Sequence, residues 1–352
     1  MSILQSKTYL NDLKYVIKEN DVFDLLKDKS VFITGGTGLI CSGIVDLLLM
    51  SNLIKKSRIH VYLGVRDEER AKKRFFDFAD SGMKEYLSFI KYDATCNNSI
   101  DVDVDYIIHG ASNAHPKAYV EYPVDTMISN FYGIKELLDF SRKKNIKNVL
   151  YISSSEVYGQ TVKKSPFKEN EYGYLDITNP RNAYASSKRA SETLCVSYYK
   201  QYGVKSNIVR PGHIYGPTAS MADSRVSSFF AYAAAEGKDL EIKSEGKQIR
   251  SYCYVLDCAS AIITVLLKGK PSEVYNISNE NSIMSIKDIA SLYAEEGAVN
   301  VIFNLPSKQE KSAFNPMENS SLDNTKLRMI GWKGLFDSKM GTSHTIKILR
   351  GE

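Results

Sequence analysis

Short apolar runs alternate with segments whose apolar residues recur at helical spacing, and the alternation persists to about residue 211. VFIT (31–34) runs into a helical segment through Met50, and RIHVYLGV (58–65) precedes the charged helical segment DEERAKKRFFDFA. YLSFIKYD (86–93) leads to a polar loop, and VDYIIHGAS (104–112) to a helix ending near Lys144. KNVLYISSS (147–155) and KSNIVRP (205–211) are further apolar runs that close on small or polar residues. Strands separated by helices predict right-handed crossovers and an α/β fold, a doubly wound parallel sheet covered on both faces. Ahead of the first strand, Leu10, Leu13, Val16 and Ile17 share one face, which predicts one or two short amphipathic helices over 9–29. After about residue 217 the alternation loosens into polar stretches such as KSEGKQIRSY (243–252) and NLPSKQEKSAFNPMENSS (304–321). The expected organisation is a helical extension over 1–29, a sheet domain over 30–216, and a smaller, mainly substrate-binding lobe over 217–352 with segments returning to the sheet.

Composition narrows the partners. A hydrophobic content of 43% and a charged content of 25% are ordinary for a soluble globular chain, and the net charge of +5 is spread along it. The short basic run Lys143, Lys144 and Lys147 reads as a solvated helix end, so neither a nucleic-acid stripe nor a membrane surface is expected. Five cysteines (Cys41, Cys96, Cys195, Cys253, Cys258) show no framework or metal-ligand spacing, which predicts free thiols, no metal site and a reducing compartment. The N-terminus has no signal-peptide layout and no apolar run reaches about 18 residues. A cytoplasmic location is the expectation.

In open parallel sheets ligands sit beyond the C-terminal strand ends, and GGTG, HGAS, SSSE and RPGHIYG all fall there. Gly35, Gly36 and Gly38 follow a strand and open a helix. Glycines let backbone approach a pyrophosphate, and the helix N-terminus offers unpaired N–H groups with a favourable dipole. Cys41 stands where a third glycine would allow close packing of helix on strand. The second strand ends at Val65 and is followed by Arg66, then Asp67. An arginine here pairs with a 2′-phosphate and points towards NADP rather than NAD, although Asp67 could reach the ribose and Arg66 could stack on adenine.

Tyr184 and Lys188, in NPRNAYASSKRASETL, lie four residues apart on one helix face. A phenol is a poor base at neutral pH, and a neighbouring ammonium favours its ionised form. Ser154, closing KNVLYISSS, can donate to the same substrate oxygen. The three together suit proton movement coupled to hydride transfer.

TGGTGLI, HGAS, SSSEVYG, YASSK and RPGHIYGP, in that order, resemble the extended short-chain dehydrogenase/reductases, and within them the nucleotide-sugar epimerase/dehydratase family, from about Lys29 to Asn279. The resemblance implies a Rossmann-type domain, a tightly held NAD(P), a nucleoside-diphosphate sugar in the C-terminal lobe, and homodimers built through two helices per subunit. It implies a catalytic set of Ser154, Tyr184 and Lys188, with Glu156 beside it. It places Gly35, Thr37, Gly38, Leu39, Ile40, Arg66, Asp93, Ala94, Gly110, Ala111, Ser112, Asn130, Ser153, Tyr184, Lys188 and Arg210 along the cofactor. Ser154, Ser155, His213, Arg225 and Arg250 fall along the sugar nucleotide, the two arginines suiting phosphate oxygens. His213 stands where the family often has asparagine.

The stretch SSSEVYG separates the chemistries. Dehydratases of the family usually carry Asp-Glu before VYG, and a serine at 155 cannot supply that acid. The Ser155-Glu156 pair, with DSRV at 223–226, resembles UDP-glucuronate decarboxylases more closely. Oxidising C4 of the sugar to a ketone acidifies C5 or lets a C6 carboxylate leave as carbon dioxide. Arg66 keeps open an NADPH-dependent reductase of a 4-keto-6-deoxy sugar, and an inactive dinucleotide-binding regulator is a more remote alternative.

Overall fold

Seven strands form one all-parallel sheet in the computed structural model, which describes residues 3–114, 116–162, 164–304 and 317–352. Most of the polar stretch expected in the second lobe, residues 305–316, lies outside the described residues. The strands are β1 (Ser30–Thr34), β2 (His60–Val65), β3 (Leu87–Lys91), β4 (Tyr106–His109), β5 (Asn148–Ile152) and β6 (Ser206–Pro211), joined later in the chain by β10 (Val274–Ile277). Their order is β10-β6-β5-β4-β1-β2-β3. The apolar runs are continuous because side chains alternate between two buried faces. Val31, Ile33, Ile108, Leu150, Ile152 and Val209 enter one core cluster, whereas Phe32, Ile107, Val149, Tyr151 and Ile208 enter the other.

Helices Leu39–Lys55 and Val255–Lys268 cover the first face, and helices Pro123–Lys144 and Ala183–Tyr202 the second. The helix Val255–Lys268 and strand β10 are segments from beyond residue 217 that join the main sheet. Outside it, β7 (His213–Tyr215), β9 (Ile249–Tyr254), β11 (Ile283–Ser285) and β13 (Asn319–Ser320) make a small mixed sheet, and β8 (Leu240–Ile242) pairs with β12 (Val301–Phe303). Chain order reverses beside β1, which has β2 on one side and β4 on the other. This reversal opens a crevice beyond the strand ends and sets the loops at Gly35 and Gly110 side by side.

The expected helix after β2 is shorter than its pattern suggests. It runs Glu68–Arg74, where Phe75 and Phe78 turn into the core, and Gly82 at φ 84° reverses the chain. The N-terminal helix Lys7–Glu19 fastens onto the molecule through buried polar groups. The Tyr9 hydroxyl donates to Asp46 at 2.7 Å, and Arg74 meets the same carboxylate at 2.5 Å. Asp12 accepts from Tyr254 at 3.0 Å and pairs with His344 at 2.8 Å, which ties the extension to the C-terminal region. Among the described residues, no helix is long and apolar enough to cross a membrane.

Candidate active site

The first loop is shaped as a phosphate cradle requires. Gly35 sits at φ 73°, and a Cβ there would lie 2.8 Å from the Gly110 carbonyl and the Ala111 nitrogen. The Gly38 N–H donates to the Gly35 carbonyl at 2.9 Å, and Gly38 opens helix Leu39–Lys55 without a side-chain cap. The first-turn N–H groups at Leu39 and Ile40 are thus left to a ligand. Thr37 is half-buried in the same turn, and the buried Ser112 and Ser186 hydroxyls find no partner in the protein. These features fit a dinucleotide pyrophosphate and its nicotinamide end.

Cys41 fills the place of the missing glycine because Gly110 makes room. A Cβ on Gly110 would lie 2.3 Å from the Cys41 sulfur. Burial pushes the Cys41 thiol up to about 12, with Lys188 only partly opposing it, so this cysteine packs rather than reacts. Gly110→Ala should therefore destabilise the protein by about 1–3 kcal/mol, the usual cost of overpacking. Adding Cys41→Ala should recover most of that loss in thermal unfolding. Strictly additive effects of the two changes would show that they do not touch.

At the end of β2, Arg66 is exposed, and its charge is felt by the Asp93 carboxylate beyond β3. Asp93 also accepts from the Thr95 N–H at 2.9 Å and hydroxyl at 2.7 Å, and Ala94 beside it is buried. Asp67 caps the following helix, one of its oxygens accepting from the Arg70 N–H at 2.9 Å.

Strand β5 and helix Ala183–Tyr202 bring the polar set together. Ser154 favours the ionised form of the Tyr184 phenol, and its hydroxyl accepts the Glu156 N–H at 3.2 Å. Lys188 is buried, donates to the Ile152 carbonyl at 2.8 Å and lies 5.7 Å from the Tyr184 ring centroid. The expected lowering of the phenol by this ammonium is not what the protein's own groups produce. Burial, reinforced by Glu156, pushes Tyr184 up to about 12, while Ser154 and Arg225 pull the other way. Burial likewise brings Lys188 down to about 7. A further positive charge beside the phenol would favour its ionised form.

Glu156 stands on the short turn Ser155–Tyr158, where Ser155 is buried. One carboxylate oxygen accepts from the Tyr119 hydroxyl at 3.1 Å, and the other meets Arg181 at 3.4 Å. The Tyr119 ring stacks on Tyr184 with centroids 5.1 Å apart. The sequence reading missed both residues. Arg181 was visible three positions before Tyr184, whereas Tyr119 arrives on the short helix Pro116–Glu121, distant in sequence, and carries no local pattern.

The residues expected along a sugar nucleotide converge on this cluster. Burial, aided by the charges of Arg250 and Arg225, lowers His213 to about 3, so its ring is neutral and its Nδ1 lacks a partner. Arg250 is buried, donates to the Ile249 carbonyl at 2.9 Å and senses Glu156. Arg225 is held in place by Asp223, with Nε at 2.9 and 3.0 Å from its two oxygens.

Three expected cofactor residues have other engagements. Arg210 is fully buried and binds Glu192 through Nε at 2.9 Å and a terminal nitrogen at 2.6 Å, with further bonds to the Glu169 carbonyl and the Tyr172 hydroxyl. Four of its five N–H donors are thus taken up within the protein. Ser153 donates to Glu192 at 2.5 Å, and Asn130 donates to Ser187 at 3.0 Å with its own carbonyl oxygen unpartnered.

Comparison with known proteins bears on the family and the fold. UDP-glucuronic acid decarboxylase 1 of Xenopus tropicalis is 26% identical over 329 residues, covering 92% of this chain and 73% of the relative. The dTDP-D-glucose 4,6-dehydratase of Bos taurus is 25% identical over 334 residues, covering 92% and 89%. In fold, the chain is similar to the UDP-glucose 4-epimerase of Thermotoga maritima, with a TM-score of 0.75, 22% identity, and coverage of 91% and 98%. It is also similar to the dTDP-glucose 4,6-dehydratase of Bacillus anthracis solved with NAD, with a TM-score of 0.72, 21% identity, and coverage of 91% and 96%. The model of the NAD dependent epimerase/dehydratase family matches residues 31–278, from the first strand through the glycine turn, Ser154, Tyr184 and Lys188, and the chain belongs to that family of enzymes.

Proposed function

We propose that this enzyme oxidises C4 of a nucleoside-diphosphate hexuronate and decarboxylates it at C6. NAD, when bound along Gly35–Ile40, supplies the hydride acceptor and a positive charge near the phenol. Tyr184 takes the 4-hydroxyl proton, and Ser154 donates a hydrogen bond to the oxygen on which negative charge develops. Once C4 is a ketone, the C5–C6 bond can break, leaving its electron pair as an enolate over C4 and C5. Carbon dioxide departs, a proton is added at C5, and C4 is reduced again by the same hydride while Tyr184 returns the proton to the 4-oxygen, so the product is a pentose and no dinucleotide is consumed. Arg225, Arg250 and His213 suit the pyrophosphate and sugar, because guanidinium groups bind phosphate oxygens bidentately. The observation that carries this reading is Glu156, held by Arg181 and by the Tyr119 whose ring stacks on Tyr184, with serine rather than an acid at position 155.

The test is a panel of UDP-, dTDP-, CDP- and GDP-sugars incubated without added cofactor. The expected result is carbon dioxide release from one hexuronate, with a neutral pentose nucleotide as product. Dehydration of a neutral hexose, or epimerisation alone, would overturn the decarboxylation. Arg66 supports a second reading, in which its exposed guanidinium takes a 2′-phosphate and the enzyme reduces a 4-keto-6-deoxy sugar. That reading requires stoichiometric NADPH consumption in the same panel.

A homodimer is part of the proposal. Val124, Met127, Ile128 and Phe131 recur at i, i+3, i+4 and i+7 on helix Pro123–Lys144 and are exposed, as are Val196 and Tyr199 on the adjacent helix. A contiguous apolar face of this kind suits burial against a second copy. Phe131→Glu should shift the protein from dimer to monomer in sedimentation. A wild-type chain that is monomeric at all concentrations would contradict the dimer.

A further inference from the structure

Lys188 is the one ammonium set beside Tyr184 on its helix, and its surroundings are hostile to charge. It is 2% exposed. Its nitrogen lies 4.7 Å from the Tyr151 ring centroid of β5 and 5.7 Å from that of Tyr184. The groups facing it are Cys41 from helix Leu39–Lys55, His109 from β4, and Tyr184, Glu192 and Cys195 from its own helix. Burial pushes Cys41 upward and His109 down to about 3, so both are neutral, as is the Cys195 thiol. Glu192, one turn beyond Lys188, is therefore the one carboxylate among these groups.

Glu192 is also mechanically placed. Its first carboxylate oxygen accepts from the Ser153 hydroxyl at 2.5 Å and from Arg210 Nε at 2.9 Å, and its second accepts from Arg210 at 2.6 Å. Lys188 meanwhile donates to the carbonyl of Ile152. Two successive residues at the end of β5 are thus clasped by two successive turns of one helix. The next residue of β5's loop is Ser154. The spacing between Ser154 and Tyr184 follows from these two clasps.

We propose that Glu192, buttressed by Arg210, is a positioning residue that keeps Lys188 cationic and fixes the catalytic helix against the end of β5. This rests on the reading of Lys188 as the ammonium of the hydride-transfer site. Arg210 then serves the site through Glu192 and not by touching the cofactor.

The sign follows from the charges. A lysine lowered to about 7 by burial keeps its ammonium below that pH and loses it above. Removing the nearby negative charge moves this window further down. The experiment is carbon NMR of protein carrying 13C at the lysine ε position, with the Lys188 resonance identified by its disappearance in Lys188→Arg. In Glu192→Gln the Lys188 titration midpoint should fall by about one pH unit or more, the scale of a lost neighbouring opposite charge. Glu192→Gln leaves Arg210 buried without its partner, so a second variant, Glu192→Leu with Arg210→Met, replaces both charges by apolar groups, which buried pairs often tolerate. Its midpoint should fall as well. A midpoint unchanged in the folded variants would overturn the proposal. Turnover of the nucleotide-sugar panel by the wild-type protein is scored separately, so a failed substrate assignment is distinguishable from a failed role for Glu192.

Discussion

Tyr184→Phe lowers turnover by at least about a hundredfold while leaving dinucleotide affinity near that of the wild type. The magnitude is that of a positioned acid–base group removed from a reaction that needs it. The Tyr184 side chain is buried and its ring stacks on Tyr119, so a phenylalanine ring occupies the same slot without repacking. What disappears is the oxygen alone. Because the protein's own groups hold the phenol up at about 12, its proton transfer depends on positive charge brought beside it. The loss should accordingly appear in kcat rather than in KM. Rapid-mixing kinetics of wild type and variant checks this, and near-wild-type kcat in Tyr184→Phe would remove the phenol from the reaction.

The second large effect is expected at Glu156. Glutamine keeps the shape and can still accept from Tyr119, but it lacks the charge that meets Arg181 and cannot take up a proton. Where the reaction breaks a bond at C5 or C6, Glu156→Gln should cut product formation by about a hundredfold, the scale of general acid–base catalysis. The oxidation at C4 should survive, so reduced dinucleotide should accumulate as absorbance near the ultraviolet edge. Product formation at the wild-type rate would mean that Glu156 only braces Tyr119 and Arg181. Chemistry confined to C4 would then follow.

Much of this was legible along the chain, for identifiable reasons. The strands were readable because each is a short apolar run buried on two faces, and alternation with helices implied a parallel sheet, whereas the strand order is seen only in the structure. The glycine turn, Ser154, Tyr184 and Lys188 carry spacing that physical chemistry interprets locally. Less legible were residues whose role depends on contacts between distant segments. Tyr119 reaches Glu156 across 37 positions, and nothing nearby in sequence marks it. Arg210 looked like a ligand for an anion, yet the anion it meets is Glu192 of the same protein. Cys41 looked like a defect in the turn until Gly110 was seen to leave room for its sulfur. The Lys188–Tyr184 pair was right as an i, i+4 neighbourhood, but burial, which no local pattern reveals, dominates both groups.

The most direct measurement is a crystal structure with NAD and a nucleoside-diphosphate hexuronate bound in the Tyr184→Phe protein. The account predicts the sugar C4 between the nicotinamide ring and position 184, its 4-oxygen within about 3 Å of Ser154, a distance at which a proton can be exchanged. A nicotinamide ring that lies away from Ser154 and Lys188, with no space for a hexose before Phe at 184, would contradict it.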